Sequence, residues 1–272
     1  MASSDFDIEL PLLLEAIYAK YQHDFRQYAT ASLKRRLAQA MAHFGVSSLS
    51  LLQDRVLREP AVFHELLSYL TVQVSEMFRD PAFFRALREH VVPVLHTYPF
   101  VRVWVPGCST GEEVYSLAIL LREEGLLDKT LVYATDINPH ALQAAERGIY
   151  AQDRIAGFSA AYLAAGGRRS LSDYYTLGYD CAMFDGSLRR DVVFSDHSLA
   201  TDQVFAEVQL ITCRNVLIYF DTALQDRAIG LFHEALARKG FLGLGSKETL
   251  RFTAHADRFD DFVREQRIYQ KR

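Results

Sequence analysis

The chain has 272 residues, half of them apolar, which is enough for a sizeable core in one large domain or in a small one joined to a larger one. A net charge of -4 and a pI near 6.1 give no global basic field, which argues against a nucleic-acid partner. Cys108, Cys181 and Cys213 lie far apart without a Cys-x-x-Cys pair, so neither a disulfide framework nor a metal site is expected.

The N-terminal stretch MASSDFDIELPLLLEAIY has acids where a signal peptide would be basic, and no apolar run reaches bilayer length, so the expected location is cytoplasmic. From Leu10 to about Leu70 the pattern is helical. In ATASLKRRLAQAMAHFG, Leu33, Leu37, Met41 and Phe44 recur at helical spacing and Gly45 supplies a stop. LPLLLEAIYAKY and AVFHELLSYL read the same way. A boundary is expected near Arg79-Asp80-Pro81, because proline disfavours a helix through Asp80. The expected domains are therefore 1–80 and 81–272.

Beyond Pro93 short apolar strands appear, VRVWVP, TLVYATD, VQLITCRN and GFLGLGS, separated by helical segments such as YSLAILLREEG and PHALQAAERG. Strands alternating with helices imply an α/β fold with a largely parallel, Rossmann-like doubly wound sheet covered on both faces. The aromatic and β-branched stretch around Asp185-Gly186 breaks this rhythm. It is read as a small antiparallel β insert at about 172–194, with its hairpin turn near Asp185-Gly186. No heptad seam points to an obligate oligomer, so a monomer is expected.

In an open parallel sheet the ligand sits at the carboxyl ends of the strands, which directs attention to the first strand, loop and helix, VRVWVPGCSTGEEVYSLAILL. Gly107 and Gly111 let backbone approach a ligand, but Glu112 and Glu113 at the helix start would repel a phosphate and attract an ammonium group. At the end of the second strand Asp136 is placed to accept hydrogen bonds from a ribose diol. An acid for an amine and an acid for a ribose, with no phosphate cradle, suit S-adenosylmethionine. Glu112 is read as a structural acid favouring the helix dipole and Glu113 as the ligand group. Cys108 and Cys213 are read as small buried thiols, Trp104 as core, and His140 and His197 as packing or capping residues.

The segments TVQVSEMFRD, GCSTGEEVYSLAI, ATDINPHALQAAERGIY, CRNVLIYFD and GFLGLGSKE together resemble the CheR family of chemotaxis receptor glutamate methyltransferases, in its order and spacing, from roughly Phe25 onward. The resemblance implies an all-α docking domain before an S-adenosylmethionine-dependent methyltransferase domain whose product is S-adenosylhomocysteine. It implies that Glu113 binds the cofactor's amino group and Asp136 its ribose, and that Arg214 and Asn215 line the pocket with Gly107 and Leu199. It also puts Arg79 and Tyr219 near the transferable methyl. Two segments depart from the family pattern. Gln73 and Ser75 stand where the family has asparagine and threonine and keep polar character, and Ser198 stands where it has a longer asparagine, which would weaken adenine recognition; the resemblance puts all three, with Arg79, among the cofactor-binding residues.

A glutamate acceptor, with an unperturbed pKa of about 4.3, is already an anion at neutral pH, so methyl transfer to it needs no general base. Between Phe25 and Gln53 lie Arg26, Lys34, Arg35 and Arg36 and no acid. The resemblance makes this the surface that docks on the glutamate-rich helices of a chemoreceptor. The insert lacks the glycine-rich loop of tethering relatives, so docking without a receptor-tail tether is expected, and so is a chain without appended protein-binding repeats. The alternatives are a different signalling-protein acceptor on the same cofactor domain, or a cofactor-binding scaffold that has lost turnover.

Overall fold

The computed structural model describes residues 4–272. Four helices open the chain: α1 (Asp5–Tyr21), α2 (Thr30–Phe44), α3 (Leu49–Arg58) and α4 (Pro60–Leu70). Their ends follow local chemistry. The Ser48 hydroxyl accepts the Leu51 N–H at 3.2 Å to start α3, Gly45 closes α2 in the left-handed region, and Pro60 opens α4 where no N–H is needed. Leu13, Ile17, Leu33, Leu37, Leu52 and Leu66 bury their side chains in one core, with Met41 and Phe44 packed at its edge. Among the described residues no helix is long and apolar enough to cross a membrane.

After an irregular segment, 71–80, come α5 (Pro81–Ala86), a π turn (Leu87–Val91), α6 (Val92–Leu95), β1 (Val101–Pro106), α7 (Glu112–Glu123), β2 (Thr130–Asp136) and α8 (Pro139–Arg147). The chain continues through β3 (Ile149–Ala151), α9 (Ile155–Ala164), β4 (Tyr175–Gly178), β5 (Cys181–Phe184), β6 (Val192–Asp196), β7 (Val208–Cys213) and α10 (Thr222–Ala235). It ends with β8 (Leu236–Leu244), β9 (Phe259–Val263) and β10 (Ile268–Lys271). The main sheet has the order β6-β2-β1-β7-β8-β10-β9, parallel except that β10 runs antiparallel to both its neighbours. Its order reverses between β1 and β7. Every residue of β7 is buried, as expected of a central strand covered on both faces.

The insert differs from the sequence reading. Its three-stranded sheet, β3-β5-β4, begins at Ile149, and Val192–Asp196 belongs instead to the main sheet, paired with β2. The hairpin turn is at Tyr179 and Asp180, both at positive φ, as a tight two-residue turn between right-twisted strands requires. Asp185 starts a 3-10 turn instead, its carboxylate accepting the Ser187 N–H at 2.8 Å. Strands β9 and β10 were not foreseen, because FDDFV and IYQK are short and carry charged and amide residues among their apolar ones.

The helical unit is joined to the sheet unit by backbone. Ala29 N–H donates to the Tyr219 carbonyl at 2.8 Å, Asp221 N–H donates to the Gln27 carbonyl at 2.8 Å, and the Tyr28 ring packs on Phe220 with centroids 5.0 Å apart. This short antiparallel clasp holds the loop that follows β7.

Candidate functional site

A cleft opens at the carboxyl ends of β1, β2 and β7, where the strand order reverses. Segment 71–80 and helix α2 close its other side. The loop after β1 turns at Gly107 and Gly111, whose φ values are 67 and 92°. A Cβ on Gly107 would lie 2.5 Å from Val216 Cγ2, and one on Gly111 would lie 2.8 Å from Ala145 Cβ, so both turns exclude any larger residue.

The two acids that open α7 have separate surroundings. Glu112 is fully buried, and its carboxylate takes Arg154 Nη1 at 2.7 Å and the Thr110 hydroxyl at 2.7 Å. Glu113 lines the cleft. Its Oε2 accepts from Arg214 Nη1 at 3.1 Å, and its Oε1 is buried with no partner. Burial pushes its carboxyl above the ordinary carboxylate range, against the opposing pull of Arg214. Arg214 is held in turn by the Asp80 carboxylate at 2.8 Å, the Arg79 carbonyl at 2.9 Å and the face of Phe83.

Asp136 ends β2 in the cleft, accepting N–H groups from Ser109 at 2.8 Å and Asn138 at 2.9 Å. Burial raises its pKa, and these backbone donors oppose the rise. The cap of α8 is Asn138, which leaves Asp136 clear of that duty. Gln73 is fixed by the Ser109 hydroxyl, which donates to its Oε1 at 2.7 Å, while its amide donates to Thr71 at 3.0 Å. Ser75 also lines the cleft, and its carbonyl is bound by Arg154.

Arg79 lies between Phe78 and Asp80, two non-glycine residues at positive φ, and Phe78 N–H is tied to Ser116 on α7 at 2.8 Å. Arg79 and Tyr219 both line the cleft, and among the described residues neither side chain has a hydrogen-bond partner. Asn215 is held at φ 61° by Glu248, a buried carboxylate that accepts N–H groups from Gly245, Asn215, Val216 and Ile218. Leu199 lines the cleft. Ser198 does not, because its hydroxyl turns back to accept the Ala200 N–H and its own N–H is taken by Asp202.

The basic set on the helical unit does not form one surface. Arg26 is paired with Asp24 and Glu15, Lys34 with Asp7, and Arg35 is exposed without an acidic partner among the described residues. Arg36, expected within that surface, is buried and lines the cleft. It sits one residue before Leu37, and its guanidinium reaches the Leu70 carbonyl at the end of α4 and lies 5.5 Å from the Tyr219 ring centroid. Sequence reasoning also missed Glu248, Tyr28 and the cleft-lining position of His197. The glutamate was visible in GSKE, three residues after a glycine, but only the fold shows the four amides it serves.

Residues 73–266 match the S-adenosylmethionine-binding domain of CheR methyltransferases, and residues 8–71 match the all-alpha domain of the same proteins. The chain belongs to the CheR methyltransferase family. It is 58% identical to Cher3 of Pseudomonas putida over 265 residues, 97% of each chain. A chemotaxis protein methyltransferase of Listeria monocytogenes is 28% identical over 234 residues, 84% of each chain, and one of Vibrio anguillarum is 30% identical over 254 residues, 87% of this chain and 86% of its own. The cofactor of this family is S-adenosylmethionine. The residues present fit it: the unpartnered Glu113 Oε1 answers an ammonium group, and the Asp136 carboxylate retains acceptor capacity for a diol.

Proposed function

We propose that this CheR-family methyltransferase esterifies glutamate side chains in the cytoplasmic helical region of a chemoreceptor. The observation that carries the reading is the pair Arg79 and Tyr219, whose polar heads line the cofactor cleft and have no partner of their own among the described residues. A guanidinium only donates and a phenol can donate, so the group both can hold is an acceptor such as a carboxylate. When bound, the cofactor would supply an electrophilic methyl for that carboxylate, with Glu113, Asp136, Arg214 and Asn215 holding the cofactor in the cleft.

No proton moves, so the cleft needs no base. His197 lines the cleft with its Nε2 at 3.1 Å from the Gln203 carbonyl and its ring edge-on against Trp104, and the reaction gives it no proton to take. Arg79 and Tyr219 hold the acceptor in line, while Glu113, Asp136, Arg214 and Asn215 fix the cofactor, and alignment in a cleft sheltered from water supplies most of the acceleration. Arg35 steers the acidic receptor helix, raising the association rate more than the affinity.

The test is transfer of labelled methyl from S-adenosylmethionine to chemoreceptor-containing membranes, followed by mild base. Release of the label as volatile methanol is expected. Label that resists base, or none despite cofactor binding by calorimetry, overturns the proposal.

A further inference from the structure

Methyl transfer leaves a cleft-lining histidine without a task. His197 follows β6, is only 9% exposed, and has its ring held edge-on by Trp104 and Phe205, each with its centroid 5.2 Å away. Its two nitrogens differ. Nε2 lies 3.1 Å from the Gln203 carbonyl, which can only accept, so Nε2 carries the proton of the neutral ring. Nδ1 is then an acceptor, and it is buried with no partner among the described residues. A buried polar atom left unmet costs free energy that a ligand can recover.

The order of the strands decides which part of the cofactor comes here. Glu113 follows β1, Asp136 ends β2 and His197 follows β6, and these three strands lie side by side in that order. The His197 N–H donates to the Asp136 carbonyl at 3.4 Å. S-adenosylmethionine carries its amine, ribose and adenine in the same sequence, so a cofactor with its amine at Glu113 and its ribose at Asp136 has its base beside His197. Ile137 and Leu199 line the same end and offer apolar contact to the faces of a flat ring. Ser198 does not line the cleft, its hydroxyl being turned to the Ala200 N–H.

We infer that Nδ1 of His197 reads the adenine of the cofactor by accepting a hydrogen bond from its 6-amino group. The free ring nitrogens of adenine are all acceptors and the exocyclic amine is its N–H donor, so an acceptor buried at this point selects a base that carries that amine. The histidine thereby takes up a contact that Ser198, short and turned away, does not make. The inference concerns the cofactor alone and stands whichever acceptor receives the methyl.

The experiment measures Kd by calorimetry for S-adenosylhomocysteine and for S-inosylhomocysteine, in which a carbonyl replaces the 6-amino group, with wild type, His197→Gln and His197→Asn. Wild type is expected to prefer the adenosyl ligand by about tenfold or more. Glutamine carries an amide that can keep the bond to the Gln203 carbonyl but has nothing at the place of Nδ1. His197→Gln should therefore bring the preference to within about threefold, chiefly by weakening the adenosyl ligand. Asparagine puts its side-chain oxygen about where Nδ1 stands and gives up the Gln203 bond, so His197→Asn should keep most of the preference. A histidine that only braced the Gln203 turn would give the reverse order, or equal losses for both ligands, and either result overturns the inference. So does an unchanged preference in His197→Gln, or a wild-type preference under about threefold. Should the glutamine variant not fold, the wild-type ratio and the asparagine variant decide, and a preference lost in His197→Asn overturns the inference.

Discussion

Replacing Glu248 with glutamine should damage the site from a distance. The carboxylate serves four backbone donors, with Gly245 and Asn215 on Oε2 at 2.6 and 2.9 Å and Val216 and Ile218 on Oε1 at 2.9 and 3.3 Å. A glutamine has one oxygen, so whichever way its amide lies, two of these N–H groups face an NH2. Each buried donor left without an acceptor costs about 1–3 kcal/mol, a gross loss of about 2–6 kcal/mol. Part of this is offset, because burial holds Glu248 above the ordinary carboxylate range and removing the charge relieves that desolvation. A net loss of about 2–3 kcal/mol corresponds to a fall in Tm of roughly 4–12 °C for a chain of this size. Differential scanning calorimetry measures it. Asn215 should also leave its left-handed conformation and weaken S-adenosylhomocysteine binding by about tenfold in isothermal titration. A Tm within about 2 °C of wild type and an unaltered cofactor Kd would refute the reasoning.

Glu113→Gln removes the counter-charge for the cofactor's amine, and calorimetry should show Kd rising roughly 10- to 100-fold. Because burial raises the pKa values of Glu113 and Asp136, both must shed a proton to bind as pH falls toward those raised values; wild-type affinity should weaken by up to about tenfold per pH unit per group there, and Glu113→Gln should flatten the slope. Gly107→Ala should cost at least about tenfold in cofactor affinity through its clash with Val216, and Val216→Ala added to it should restore part of the loss, a non-additivity that independent sites would not give. Arg35→Glu should slow association with receptor membranes, most strongly at low salt, whereas Lys34→Ala, whose ammonium is already engaged by Asp7, should change it less; stopped-flow binding separates the two.

The parallel core was legible because its strands are continuous apolar runs with punctuated ends, and the cofactor acids because each follows one of those strands. Gly45 announced the end of its helix by local chemistry of the same kind. The turn at Tyr179 and Asp180 carries no glycine, so its left-handed backbone left no mark on the sequence, while Asp185-Gly186 offered a stronger turn signal at a place where the chain makes a 3-10 turn. Arg36 was misplaced because helical periodicity assigns a face relative to one stripe. It cannot register that α4 ends against that flank with an open carbonyl, nor that a loop 183 positions further on places Tyr219 beside it. Ser198 illustrates the reverse case, a motif position whose shortened side chain finds its partner within its own turn.

The clasp between residues 27–29 and 219–221 gives neither half of the chain sole ownership of the reaction centre. Tyr219 is presented by the sheet unit but held by the backbone of the helical unit, and Arg36 enters the same space from that unit. The all-α unit and the cofactor-binding unit therefore share an inheritance. A helical unit borrowed from a relative would bring its own version of the clasp, and a mismatch there would move the tyrosine before any acceptor arrived. Changes of target are expected to accumulate on outward positions such as Arg35, with the seam beneath them kept constant.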